Sequence, residues 1–299
     1  MTDPISGVLP SLLTPFDEGT RVDLRAFERH VRLMLDSGVH GLIVASTLGE
    51  AGSLSEDEKL ELLRCARSVV GERPIPIIAA SVGGGLAQDR LRLRSLRECG
   101  ATGLLLFPPV LYRPTGDELV EHVLAAMGEC GLPTLVFNKP AAFGCDFTPQ
   151  LAERVARDPC WVGVKEAAEL TARIPEWKTA FGPRCRVLSG DEYALEALVL
   201  GADGFVAGLG NAVPAECVAF FRAWTEQRLV EAVRWYRWLS PLFQLDVSPL
   251  LVQNIKLASS LLVGFPEACR PPRCPLIGSS RERVEEVVAQ AVAGRRQWP

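Results

Sequence analysis

Lysine is scarce in this chain. Five lysines (Lys59, Lys139, Lys165, Lys178 and Lys256) stand among 32 basic residues, so arginine carries most of the positive charge. Arginine stays protonated and forms no Schiff base, which confines amine chemistry to a handful of positions. Histidine is scarcer still, at three residues, and the nine cysteines include no CxxC pair, so no metal site is expected. An odd cysteine count without a secretion-type leader suits reduced thiols packed as small apolar groups. Cys269 and Cys274 are separated by a spacer containing Pro271 and Pro272 that suits a surface crossover as well as a redox pair. No apolar run reaches the roughly 18 residues of a membrane helix. Met1–Pro4 lacks a basic stretch leading into an apolar one, and the net charge of −4 includes no basic block. The expectation is a soluble, cytoplasmic protein with neither membrane nor nucleic-acid partner.

What is present is a rhythm. Short apolar runs at Val8–Leu13, Gly41–Val44, Pro76–Ala80, Gly103–Leu106, Thr134–Val136, Trp161–Val164, Arg186–Leu188 and Gly204–Val206 read as strands. Between them lie helical patterns such as Leu24–Ser37, Glu56–Val70, Ala87–Glu98, Asp117–Glu129, Pro149–Asp158 and Tyr193–Leu200. Ser55 with Glu58 forms a capping box, and Thr148–Pro149 reads as an N-cap with proline at the first helical position. Eight such units argue for an α/β fold, a (β/α)8 TIM barrel, over an open doubly wound sheet. The loop after the first strand, Thr14–Gly19, is no dinucleotide fingerprint, and Val82–Gly85 has neither GxGxxG nor P-loop spacing and reads as a close-approach turn. Beyond residue 223 the pattern is helical only, in Trp224–Leu239, Pro249–Leu262 and Arg281–Ala293. The expected division is a barrel over residues 1–223 and a helical C-terminal extension over 224–299, packed beside it.

Active sites of (β/α)8 barrels lie at the C-terminal ends of the strands. Lys165 closes the sixth apolar run there, where burial lowers an amine's pKa and leaves it nucleophilic towards a carbonyl carbon. On this segment alone a snorkelling lysine, or one paired with Glu166, reads equally well. After the second strand, Ser46-Thr47-Leu48-Gly49-Glu50 offers hydroxyls and turn amides able to hold a small carboxylate.

These segments together carry a resemblance. Ser46 to Glu50, Phe137-Asn138-Lys139-Pro140 after the fifth strand, Gly163-Val164-Lys165-Glu166 and Ser189-Gly190-Asp191 resemble the dihydrodipicolinate synthase and N-acetylneuraminate lyase family nearly throughout the chain. The resemblance implies a (β/α)8 barrel assembled as a tetramer or dimer, with Lys165 forming an imine with pyruvate or another 2-oxo acid. It implies carboxylate binding by Ser46, the Thr47 hydroxyl and the Leu48 amide, with Gly190 also at the site and Glu50 bracing the loop. No cofactor and no metal are implied.

The departures matter more than the matches. Phe137 stands where the family's aldolases place a catalytic tyrosine, and a phenyl ring relays no proton. Leu111 takes the place of a second tyrosine, with Tyr112 one residue late, and Ala141-Ala142-Phe143 replaces the segment carrying the synthase's carboxylate-binding arginine. Phe137 and Leu111 therefore read as substrate-pocket residues. Thr47, Tyr112, Asp191 and Tyr193 are the candidates for the missing proton transfer; equally, Tyr112 suits a subunit contact, Asp191 a helix cap and Tyr193 helix packing. The expected function is a Schiff-base lyase on a small 2-oxo acid, working by C4 elimination or by retro-aldol cleavage, in a more apolar pocket. The alternatives are the family's synthase reaction and a non-catalytic 2-oxo-acid-binding barrel. Trp224, Trp235, Trp238 and Phe243 read as either interface anchors or core.

Overall fold

A computed structural model describes residues 5–81, 86–168 and 171–295. Its strands are β1 (Gly7–Pro10), β2 (Leu42–Val44), β3 (Ile77–Ser81), β4 (Gly103–Leu106), β5 (Thr134–Asn138), β6 (Trp161–Glu166), β7 (Arg186–Gly190) and β8 (Gly204–Ala207). All pair in parallel in the order β1-β8-β7-β6-β5-β4-β3-β2. A single bridge from Ser11 to Ile43 and a hydrogen bond from Leu12 N to Ile43 O (2.8 Å) bring the two ends together, giving a nearly closed barrel. The eight expected strands are all present within two residues at each end, except β1, whose ladder stops at Pro10. The strands β5, β6 and β7 run further than their apolar cores suggested, so Phe137, Lys165 and Gly190 lie within strands.

The intervening helices are α1 (Leu24–Asp36), α2 (Glu56–Val70), α3 (Leu86–Ser95), α4 (Gly116–Cys130), α5 (Pro140–Phe143), α6 (Pro149–Val155), α7 (Arg173–Phe181), α8 (Ala194–Val199) and α9 (Pro214–Thr225). The Ser55–Glu58 capping box and the Thr148 N-cap with Pro149 form as expected. Helices α5, α7 and α9 were not among the sequence patterns. Helix α9 packs on β1, and the expected boundary at residue 223 falls within its last turn. Val82–Gly85 lie outside the described residues.

Three helices follow: α10 (Leu229–Phe243), α11 (Leu251–Val263) and α12 (Gly278–Arg295). They share one apolar cluster with Val8, Phe205 and Ala207 on the outer faces of β1 and β8. Trp235, Trp238 and Phe243 are buried in it and Trp224 packs against it, which favours the core reading within this chain. No described helix is long and apolar enough to cross a membrane.

Strand alternation sorts the side chains. Leu9, Ile43, Ile78, Leu105, Leu135 and Leu188 fill the barrel interior, while Val44, Leu104, Val136 and Val164 face the helices. The β5–β6 register shifts between Thr134 and Leu135, opposite Gly163. Gly163 has φ +154°, and a Cβ there would stand 1.9 Å from Arg186 O, so only glycine admits this approach of β7. Beyond this irregularity Val164 faces outward and Lys165 inward.

Candidate active site

A cavity of about 210 Å³ opens at the C-terminal ends of the strands, with Lys165 in its wall. Phe137 is the register partner of Lys165 on β5, and the lysine Nζ sits over its ring, 3.9 Å from the centroid. Phe107 and Phe143 pack edge-on against Phe137 with centroids 4.8 and 5.1 Å away. This aromatic wall and the protein around it desolvate the amine and push its pKa below that of an ordinary lysine. The carboxylates of Glu192, Asp246 and Asp191 oppose that shift, and the charge of Lys139 adds to it.

Pairing of Lys165 with Glu166 is excluded, because consecutive strand residues point to opposite faces. Glu166 faces the helices and accepts from Trp177 Nε1 (2.7 Å), Ala168 N (2.8 Å) and Asn138 Nδ2 (3.2 Å). These bonds tie the ends of β5 and β6 together from behind, leaving Lys165 free to face the cavity.

Ser46, Thr47 and Leu48 line the wall formed by the loop after β2. The loop is tightly turned: Glu50 N donates to Thr47 O (3.0 Å) and Ala51 N to Ser46 O (3.2 Å), with Ala45 and Glu50 at φ +56° and +54°. The Glu50 side chain is fully buried and pairs with Lys256 Nζ of α11 at 2.6 Å. Its second oxygen accepts from Arg270 N at 3.1 Å. Glu50 therefore braces the loop against the C-terminal extension and does not face the cavity.

Gly190, Glu192, Gly208 and Asp246 line the remaining wall. A Cβ on Gly190 would stand 2.0 Å from Glu192 Oε2, and one on Gly208 2.5 Å from Asp246 Oδ2. Both carboxylates thus fold over glycines to enter the cavity. Tyr236 Oη of α10, 2.9 Å from Glu192 O, holds the turn that carries Glu192. Asp191 is buried behind them; its Oδ2 accepts from Leu209 N at 2.9 Å, whereas Oδ1 has no donor. Oxygens of Asp191, Glu192 and Asp246 lie within 4.8 Å of one another. Burial, reinforced by the Glu192 charge, pushes the Asp246 carboxyl up to about 6. Burial and the neighbouring carboxylates push Asp191 well above the usual carboxylate range. An all-carboxylate set flanked by Lys139 and Lys165 suits proton sharing better than cation binding.

Of the residues singled out by sequence, Ser46, Thr47, Leu48, Phe137, Lys165 and Gly190 line one cavity, and Asp191 lies directly behind it. Leu111 and Tyr112 are 84% and 54% exposed and take no part in the lining of this chain's cavity; Tyr193 is 40% exposed and likewise apart. The pocket combines the expected apolar groups with charged ones. Phe137, Ala142 and Phe143 do line it, but so do Lys139, Glu192 and Asp246. Lys139 belongs to the Phe137–Pro140 motif and Glu192 adjoins Asp191, so both were within reach of the sequence reading. Asp246 lies in the link between α10 and α11 and belongs to no motif. A second cavity, about 500 Å³, opens at the other end of the strands beside Ile5, Thr102, Pro133 and Val162. Its position sets it aside despite its size, since barrel chemistry sits at the strand C-termini.

Similarity to known proteins agrees with this geometry. A 4-hydroxy-tetrahydrodipicolinate synthase of Nitratidesulfovibrio vulgaris (strain DP4) is 32% identical over 293 residues, covering 96% of this chain and 98% of that protein. The 4-hydroxy-tetrahydrodipicolinate synthase of Methylacidiphilum fumariolicum SolV superposes with a TM-score of 0.91 at 27% identity, covering 99% of this chain and all of that one. A prophage protein of the dihydrodipicolinic acid synthase family from E. coli K12, solved with pyruvate, has a TM-score of 0.91 over 96% of this chain and 99% of its own; at 22% identity it speaks for the fold alone. The dihydrodipicolinate synthetase family model matches residues 4–291, and this barrel belongs to that family of lyases and aldolases.

Proposed function

We propose that the chain is a class I lyase that holds a small 2-oxo acid as an imine of Lys165. The observation that carries this reading is the Lys165 amine, desolvated over the Phe137 ring in a cavity whose opposite wall is the Ser46–Leu48 loop. A desolvated neutral amine attacks the C2 carbonyl, and water leaves to give the iminium. The Thr47 hydroxyl and Leu48 amide hold the acid's carboxylate, and the iminium draws electrons from C3. The same flow breaks C3–C4 or expels a substituent from C4.

The cavity wall narrows the substrate. Among the described residues no arginine lines it, the segment Ala141-Ala142-Phe143 stands where the resemblance places the synthase's arginine, and Glu192 and Asp246 add negative charge. A tail bearing hydroxyl or ammonium groups suits those carboxylates better than a second carboxylate. This favours elimination from, or cleavage of, a hydroxylated 2-oxo acid over the synthase reaction, although relatives near 30% identity bear the synthase's name. A family oligomer is also in keeping with the exposed Val110, Leu111 and Tyr112, an apolar edge suited to a second copy.

Borohydride reduction with pyruvate and longer 2-oxo acids, followed by peptide mapping, tests the reading. A reduced adduct on Lys165, lost in Lys165→Ala, is expected; no adduct from folded protein refutes it. With hydroxylated 2-oxo acids, released pyruvate marks cleavage and a product that keeps every carbon marks elimination.

A further inference from the structure

The imine reading leaves a gap. Phe137 carries no exchangeable proton, Leu111, Tyr112 and Tyr193 lie outside the cavity lining of this chain, and the Thr47 hydroxyl is taken up by the substrate carboxylate in the imine reading. Either outcome at C3–C4 still requires one proton to move between C3 and the oxygen on C4. We propose that Asp246, contributed by the C-terminal extension and backed by Asp191, carries that proton.

The two carboxyls stand together, and Asp191 Oδ1 is buried without a donor. Two buried carboxylates with oxygens within 4.8 Å of each other repel when both are charged, so the pair favours the singly protonated state. Asp246 is the member that lines the cavity with Lys165, whereas Asp191 is anchored to Leu209 N and acts as a positioning residue. The missing side chain at Gly208 gives the Asp246 carboxylate its space. The charged groups facing it are Asp191, Glu192, Lys165 and Lys139.

In elimination, Asp246 removes the C3 proton and the C–H electron pair enters the iminium to give the enamine. The enamine pair then forms the C3–C4 double bond and expels the C4 oxygen, which leaves as water with the proton returned by Asp246. In cleavage, Asp246 takes the C4 hydroxyl proton, the C3–C4 pair enters the iminium, the aldehyde departs, and the proton is delivered to C3. One proton moves in each case, and no oxidant or reductant is involved.

This inference rests on the imine reading, and its test separates the two. Pyruvate in D₂O is the probe: a relay group exchanges the methyl protons of the bound imine, which NMR follows without knowledge of the true substrate. In wild type, adduct formation with exchange is expected. In Asp246→Asn the borohydride adduct on Lys165 persists while exchange falls at least about 100-fold, the usual span for loss of general acid–base catalysis. EDTA has no effect on exchange. Asp191→Asn retains the adduct and shifts the midpoint of the pH profile of exchange. Gly208→Ala, whose Cβ crowds Asp246 Oδ2, lowers exchange with the adduct intact and decides the matter if Asp246→Asn does not fold. Unchanged exchange in Asp246→Asn, loss of its adduct in folded protein or sensitivity to EDTA would each overturn the assignment. No adduct in wild type would instead overturn the imine reading.

Discussion

Replacing Lys256 by methionine is expected to destabilise the protein out of proportion to the size of the change. Lys256 and Glu50 are both 0% exposed, with Nζ 2.6 Å from Glu50 Oε1 and 2.6 Å from Ala268 O. The Phe16 ring covers the ammonium, 4.5 Å from its centroid. Methionine fills most of the lysine's volume but strands the Glu50 carboxylate, which keeps Arg270 N at 3.1 Å and a long contact to Arg273 at 3.5 Å. Breaking one partner of a buried pair costs about 3–5 kcal/mol, and that range is expected here. Burial, the largest influence on Lys256, lowers its pKa despite the pull of Glu50, so desolvation outweighs the attraction. Removing both charges should therefore do less harm than removing one. The double variant Lys256→Met/Glu50→Gln is expected to recover at least about 2 kcal/mol relative to the sum of the single changes, within the usual coupling range for contacting residues. Urea unfolding of the four proteins supplies the cycle. A Lys256→Met protein within about 1 kcal/mol of wild type, or strictly additive variants, would refute the argument.

Two further outcomes concern buried groups in the barrel. Gly163→Ala places a Cβ 1.9 Å from Arg186 O, and separating β6 from β7 is expected to cost about 3 kcal/mol or more, read as a lowered thermal midpoint. His30 is buried with Nε2 2.8 Å from Asn211 Oδ1, and burial lowers its pKa from 6.5 to about 4. The unfolded chain therefore binds a proton that the folded one refuses, so His30's contribution falls as pH drops through 6.5 towards 4. Between pH 7 and pH 5 the loss amounts to about 2 kcal/mol, since each tenfold difference in proton affinity is worth about 1.4 kcal/mol. Denaturation midpoints at the two pH values check it, and a His30→Gln variant with the same pH slope would contradict it.

Much of the barrel was legible because each strand carries its signal locally. A run such as Gly103–Leu106 is apolar at every position, as a strand buried on both faces must be, and it is recovered without shift. The missed helices had weaker local signals. Helix α5 is four residues long, and α7 and α9 have neither a side-chain N-cap bond nor a strongly one-sided apolar pattern. Lys165 was legible for a related reason, since a strand-end lysine in a chain poor in lysine stands out, and strand ends define the catalytic face.

Fold class, family, Lys165 at its strand end and the 46–50 loop are all written in the order of the residues, because each rests on a stretch contiguous in the chain. Which way side chains point, and which distant groups meet, had to wait for folding in three dimensions. Strand alternation sends Glu166 to the helices and Lys165 to the cavity, so their adjacency in sequence is no contact. Packing of the C-terminal extension against β8 and α8 brings Asp246 beside Asp191 and Glu192, and seals Lys256 against Glu50. The Asp246 acidity and the Lys256–Glu50 pair exist only because packing excludes water, and no local pattern encodes that exclusion.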